Sequence, residues 1–131
     1  MPQKITTFLM FEGVAEEAMN FYLSLFDDAE VLAIARYGPG EAGAEGSVLH
    51  ATFRLAGQEY MAIDSAVQHA FAFTPSMSLY VQCETADEIE RLFAALSEKG
   101  ETLMPLDSYG FSTRFGWVSD RFGVSWQLNL A

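Results

Sequence analysis

The chain lies on itself when shifted by 71 residues. Ala15 to Leu25, "AEEAMNFYLSL", falls on Ala86 to Leu96, "ADEIERLFAAL", with the leading alanine, the acidic pair, an aromatic position and the closing leucine in step. The same shift sets Thr7 on Ser78 in the segments just upstream. An internal repeat of this length is one supersecondary unit used twice. Because a few strands and a single helix cannot bury a strand face unaided, the two units are expected to share a core.

Hydrophobic periodicity supplies the elements of each unit. "ITTFLMF" is apolar and β-prone, and "VAEEAMNFYLSLF" follows with Val14, Ala18, Phe21, Tyr22, Leu25 and Phe26 at helical spacing. Three short strands are predicted next, "AEVLAIARY", "SVLHATFRL" and "QEYMAID", separated by the glycine-rich "GPGEAGAEG" and by Ala56-Gly57. "SAVQHAFAFTPS" has no clear period and reads as a linker lying on the surface. The second half repeats the order. "MSLYVQC" reads as a strand, and "TADEIERLFAALSEKG" as a helix with Thr85 capping, Glu88 reaching back and Gly100 ending it. "ETLMPLDSYGF", "STRFGWVSD" and "GVSWQLNL" supply three more extended runs. The reading is β-α-β-β-β, twice.

With 131 residues, half of them apolar, the chain holds one ordinary core and is short for two independent domains. Residues 1–131 are therefore expected to form a single domain of two modules, about 1–64 and 77–131, joined by a linker over 65–76. No apolar run reaches the length of a membrane span, and "MPQKITTFLMFEG" lacks the pattern of a signal peptide, so a soluble cytoplasmic protein without a membrane partner is expected. A net charge of −11 with no Lys/Arg cluster repels a phosphate backbone, which argues against a nucleic-acid partner. The single Cys83 cannot form an intrachain disulfide, and it has no basic neighbour in sequence to make it a nucleophile; it reads as a small buried residue.

The last predicted strand carries a two-sided message. Trp126, Leu128 and Leu130 point one way, and Ser125, Gln127 and Asn129 the other. The polar row could meet water, line a ligand cavity or hold a metal. In "VLHATFRL", His50, Thr52 and Arg54 share a face, which makes His50 a candidate general base or else a hydrogen-bonded histidine at a sheet edge or dimer contact. His69 reads as a solvent-facing or lid residue of the linker. Asp64 and Asp120, where strands meet turns, read as turn-capping carboxylates. Phe71, Phe73, Tyr80, Tyr109 and Trp117 are more aromatic surface than a small core needs; Tyr80 and Trp117 are read as cavity wall, Phe71 and Phe73 as packing across the linker.

The tandem β-α-β-β-β pattern, a first helix ending in "FY" and a last strand introduced by Asp-x-Phe-Gly-x-x-Trp-Gln-Leu resemble the vicinal oxygen chelate superfamily, which includes glyoxalase I, extradiol dioxygenases and bleomycin-resistance proteins. More closely, "FLMFEGVAEEAMNFY", "HATFRLAGQEYMAID", "FTPSMSLYVQC" and "DRFGVSWQL", in that order, resemble the branch labelled 3-demethylubiquinone-9 3-methyltransferase-like. The resemblance spans essentially the whole chain. It implies an α+β glyoxalase-like fold in which curled mixed sheets surround a cavity with the helices outside. In metal-dependent relatives, His, Glu or Gln from the first and last strand of each module hold a divalent ion. Carried over position by position, those ligands fall on Thr7, on Ser78, on Gln127, and on Met61 or, with a slip of two residues, Glu59.

Hydroxyl, thioether and amide are poor ligands for a first-row divalent ion. The expectation is thus a metal-independent small-molecule enzyme or binding protein with no cofactor, its cavity lined by Thr7, Ser78, Tyr80, Trp117 and Gln127. One alternative is a divalent-metal-dependent lyase, isomerase or dioxygenase using Glu59, Gln127 and His50. Another is sequestration of a small organic molecule, as the resemblance to bleomycin-resistance proteins allows. A methyltransferase is disfavoured, because a nucleotide-type methyl donor usually calls for a glycine-rich turn after a parallel strand, whereas "GPGEAGAEG" lies between strands expected to be antiparallel. The family resemblance also implies a homodimer.

Overall fold

The computed structural model describes residues 3–131, which divide into two compact units with the boundary between His69 and Ala70. The first contains β1 (Thr7–Phe11), α1 (Ala15–Leu23), β2 (Glu30–Arg36), β3 (Val48–Leu55) and β4 (Gln58–Asp64). The second contains β5 (Ser78–Cys83), α2 (Ala86–Ser97), β6 (Glu101–Asp107), β7 (Arg114–Ser119) and β8 (Ser125–Leu130). The duplicated β-α-β-β-β order is therefore present. Each unit holds one mixed sheet, ordered β1-β4-β3-β2 in the first and β5-β8-β7-β6 in the second. In each, the first strand runs parallel to the last and the remaining pairs are antiparallel.

In the first unit the sheet face that carries Leu9, Phe11, Ala51, Phe53 and Ala62 is buried, as are Ala15, Ala18, Met19 and Tyr22 of α1. Removing each large apolar side chain from water contributes about 1.5–3 kcal/mol before the entropy of ordering is counted. The β3–β4 hairpin turns through Ala56 (φ 49°) and Gly57 (φ 81°), two successive positive φ angles that match the twist of the flanking strands.

The two helices begin differently. Thr85 Oγ1 accepts from Glu88 N at 3.1 Å, and Glu88 Oε1 accepts from Glu84 N at 2.7 Å, so α2 is capped by its own sequence. Val14, at the start of α1, offers no capping side chain. There the buried carboxylate of Asp64 substitutes from the end of β4: Oδ1 accepts from Gly13 N (2.8 Å) and Ala15 N (2.9 Å), and Oδ2 from Val48 N (2.9 Å). A negative charge at a helix N-terminus is stabilised by the exposed N–H groups it faces. Asp120 ties the β7–β8 corner in a similar way, accepting from Phe122 N (2.8 Å), Val124 N (3.1 Å) and the indole of Trp126 (2.9 Å). Both aspartates are turn-binding groups, as their positions in the sequence suggested.

The helix α2 stops at Ser97, where Glu98 turns extended (φ −65°, ψ 123°) ahead of a left-handed Lys99 (φ 60°), and not at Gly100. Gly100 serves close approach instead: a Cβ there would stand 3.0 Å from Leu96 O and closer still to Ser119 O. Gly116 on β7 lets α2 come near, since a Cβ would stand 2.7 Å from the Phe93 ring. Among the described residues no helix is long and apolar enough to cross a membrane.

Candidate functional site on the helix-free face of the second sheet

Strand register decides which side chains can act together. In the second unit Leu79, Val81, Val118, Trp126 and Leu128 lie on the face that α2 covers, as the contact of Gly116 with Phe93 fixes. The other face collects Ser78 and Tyr80 from β5, Ser125, Gln127 and Asn129 from β8, and Trp117 from β7. Tyr80 and Gln127 are Cα partners, and so are Gln127 and Trp117. Four sequence-selected residues, Ser78, Tyr80, Trp117 and Gln127, thus stand together as one amide flanked by two aromatics beside a hydroxyl.

A hydrogen-bond chain runs through this set. Trp117 Nε1 donates to Ser125 Oγ at 2.8 Å, the Ser125 and Ser78 hydroxyls bond at 2.6 Å, and Gln127 Nε2 donates to Ser78 Oγ at 3.2 Å. Ser125 is only 1% exposed, whereas Tyr80 is 58% exposed. Asn129 Nδ2 donates to Gln82 Oε1 at 3.2 Å, and its own buried Oδ1 has no hydrogen-bond partner among the described residues. The sequence placed Ser125 and Asn129 on the polar row without picking them as site residues. What singles out Ser125 is Ser78 directly opposite it, a cross-strand match that no local pattern contains.

Thr7 does not follow its repeat partner. Alternation along β1 puts Thr7 with Leu9 and Phe11, on the face that carries Asp64 and its bonds to the start of α1. Three residues separate β1 from α1, but two separate β5 from α2, so the helices superpose on a shift of 71 while the strands slip by one. A one-residue slip turns every side chain to the opposite face. On the helix-free face of the first sheet the structure places Phe8, which pairs with Met61, and His50, whose ring lies 6.1 Å from that of Phe8.

His50 and Glu59 occupy that same face, yet the β3–β4 register pairs Glu59 with Arg54. Arg54 lies four residues along β3 from His50, so the two candidate ligands stand about 13 Å apart. Ligands of one ion lie about 2 Å from it, so these two cannot share a metal as placed. Among the described residues no group of three His, Cys, Asp or Glu is arranged to hold a metal ion. The second-sheet face offers hydroxyl, phenol, indole and amide, a set poorly matched to a divalent cation.

The remaining candidates are accounted for locally. Cys83 is buried on the α2 side, and burial, with a smaller push from the Glu88 charge, raises its thiol to about 11, which keeps it protonated and unreactive near neutrality. His69 Nε2 bonds Ser65 Oγ at 2.8 Å within the segment after β4. Arg54 is held by Glu30 and Asp28, whose hydrogen bonds raise its already high pKa. A cavity of about 290 Å³ in the first unit is lined by Glu12, Ser47, Asp64, Ser65 and Gln68 among others. Both oxygens of the Asp64 carboxylate are spent there on backbone N–H groups.

Known proteins place this geometry in a family. The family model described as 3-demethylubiquinone-9 3-methyltransferase matches residues 3–129. The chain is 64% identical to the PhnB protein from Bacillus cereus, covering 98% of this chain and 100% of that one with a TM-score of 0.97. Protein YjdN of Escherichia coli (strain K12) is 26% identical over 140 residues, 96% of this chain and 94% of its own. A glyoxylase/bleomycin resistance/dioxygenase domain from Frankia sp. EAN1pec, at 12% identity, superposes with a TM-score of 0.69 over 100% of this chain and 93% of that domain. The α+β fold of tandem βαβββ modules is thus the glyoxalase-like one.

Proposed function

The chain belongs to the 3-demethylubiquinone-9 3-methyltransferase family and has the glyoxalase-like fold, and on that premise we propose that it is a metal-independent protein that binds a small organic molecule, to transform or to sequester it. The observation that carries this reading is the chain Trp117–Ser125–Ser78–Gln127 on a helix-free sheet face. Aromatic walls with a few oriented polar groups are the usual make-up of an organic-ligand site. Where metal-dependent proteins of this fold are expected to place imidazole and carboxylate, this face has Ser78 and Gln127, so the proposal includes no divalent ion and no cofactor.

The methyl-transfer activity in the family's description gains no support from the residues of this chain. Its glycine-rich segment, Gly38 to Gly46, joins the antiparallel strands β2 and β3 and precedes no helix. Self-association into a homodimer is part of the same proposal. It is supported by Tyr109, Phe111 and Phe115, ring centroids 5.1 to 6.3 Å apart, with Phe111 63% exposed. The acidic net charge argues against nucleic acid as a partner.

The test is elemental analysis of the purified protein before and after dialysis against zinc, nickel, manganese and iron(II), with a Gln127→Ala variant in parallel. A fragment-binding screen read by the Trp117 indole N–H signal in NMR accompanies it, because Trp126 would contribute to intrinsic fluorescence. Absence of stoichiometric metal together with fragments that perturb Trp117 is the expected result. Stoichiometric metal that Gln127→Ala loses would overturn it in favour of a metal-dependent lyase, isomerase or dioxygenase. A monomeric mass at micromolar concentration would remove the homodimer.

A further inference from the structure

The hydrogen-bond chain on the second sheet has a direction, which follows from proton counting. An indole N–H only donates, so Ser125 Oγ accepts from Trp117. Ser125 is 1% exposed, and its hydroxyl proton has one acceptor in reach, Ser78 Oγ at 2.6 Å. Any other orientation would leave a buried donor unpaired, at a cost greater than that of turning the hydroxyl. Ser78 Oγ therefore accepts twice, from Ser125 and from Gln127 Nε2, which fills both of its lone pairs. Its own proton is left without an acceptor among the described residues. Successive bonds polarise one another, so Ser78 ends the relay as a strengthened donor.

Gln127 ends the same relay with the opposite polarity. Its Nε2 is used on Ser78, and its Oε1 has no partner among the described residues. The unspent capacity at the centre of the face is thus one donor, Ser78 O–H, beside one acceptor, Gln127 Oε1. Tyr80 and Trp117 flank Gln127 on either side. Two residues further along β8, Asn129 keeps a second unspent acceptor, its buried Oδ1.

We infer that the ligand class of this face is a planar, uncharged ring bearing a carbonyl next to an N–H, the edge of a lactam. Its C=O accepts from Ser78, its N–H donates to Gln127 Oε1, and its ring lies against Tyr80 and Trp117. This inference rests on the small-molecule reading above and specifies its ligand. A carboxylate or phosphate is disfavoured, because the face supplies one donor and an acceptor where an anion needs several donors or a cation. A divalent cation is disfavoured for the converse reason.

The test uses 2-quinolinone, its N-methyl derivative and quinoline as probes of the full chain, read by the Trp117 indole and Gln127 side-chain amide signals in ¹H–¹⁵N NMR titrations. Loss of one well-formed hydrogen bond in a buried contact weakens binding by roughly two- to tenfold. Accordingly, 2-quinolinone is expected to bind with both signals shifting, N-methylation to weaken it about tenfold, and Ser78→Ala and Gln127→Met each to weaken it to a similar extent. The probe series on the unaltered protein decides the question even where a variant folds poorly. Equal binding of all three probes at the face would overturn the lactam inference and leave the small-molecule reading standing. If none of them binds while other fragments shift the same signals, the inference is likewise overturned. Silence of both signals to the probes and to a broad fragment set would overturn the two together.

Discussion

Replacing Asp120 with asparagine changes one buried oxygen to an NH₂ group and removes a charge, and the structure fixes what each change touches. Oδ1 accepts from Phe122 N and Val124 N, and the amide carbonyl of asparagine can keep those two bonds in neutral form. Oδ2 accepts from the Trp126 indole at 2.9 Å, and Trp126 is 1% exposed. The new NH₂ would meet the indole N–H donor to donor, at a corner where both Asp120 and Trp126 are buried. An unsatisfied buried donor costs about 1–3 kcal/mol, and weakening two charge-assisted bonds adds about 1 kcal/mol. Asp120→Asn should therefore lose about 2–4 kcal/mol, a large part of the stability of a chain this size. For 131 residues that corresponds to a fall in Tm of roughly 10 °C. Urea unfolding followed by tryptophan fluorescence, with calorimetry for Tm, measures both. A loss below about 0.5 kcal/mol would refute the reasoning, since it would mean that the corner does not depend on the carboxylate.

Asp64→Asn should destabilise by a similar amount and lower the helical signal of the first unit, read by amide hydrogen exchange of Ala15 and Ala18, because α1 has no cap of its own. Gly100→Ala should cost about 2 kcal/mol or more, since its Cβ would press on the backbone carbonyls of Ser119 and Leu96; a neutral result in chemical denaturation would contradict that packing. Cys83 predicts a pH dependence. Its thiol rises to about 11 in the folded chain from an ordinary value near 9, so its contribution to stability is full below about pH 9 and is lost as pH climbs towards about 11. Tyr60, raised by burial, acts in the same direction. Unfolding free energies at pH 8.5 and 10.5 should fall less steeply for Cys83→Ala than for the parent, and parallel slopes would contradict the burial argument.

The elements were legible because both periods stand out: strand ends and helix ends fall within three residues of where hydrophobic alternation and capping residues place them, except that β6 stops at Asp107, four residues before Phe111. The capping box of α2 could be read locally, since all of its atoms lie within five consecutive residues. The cap of α1 could not, because Asp64 is 49 positions from Ala15 and reaches it only through the β1–β4 pairing. Site residues divide along the same line. Ser78, Tyr80, Trp117 and Gln127 could be picked from strand alternation and from the family resemblance. The role of Ser125 depends on a neighbour across the sheet, and the separation of His50 from Glu59 depends on hairpin register.

The one-residue difference between the modules explains why two copies of a unit present unlike faces. If the first module had kept two residues between strand and helix, as the second does, Thr7 would face the same way as Ser78 and both helix-free faces would begin with a hydroxyl. The extra residue turns Phe8 outward in its place, beside His50 and Met61. It also lengthens the entry to α1, where Gly13 takes a positive φ of 97° and the carboxylate of Asp64 gathers the loose N–H groups. Deleting one residue from 12–14 would thus have two coupled effects: it would withdraw N–H donors from Asp64 and leave α1 drawn towards a β1 whose side chains point the wrong way. The fold absorbs the longer connection of the first module with a single buried aspartate, and among the described residues the polar relay lies in the second sheet, where strand and helix are joined by two residues.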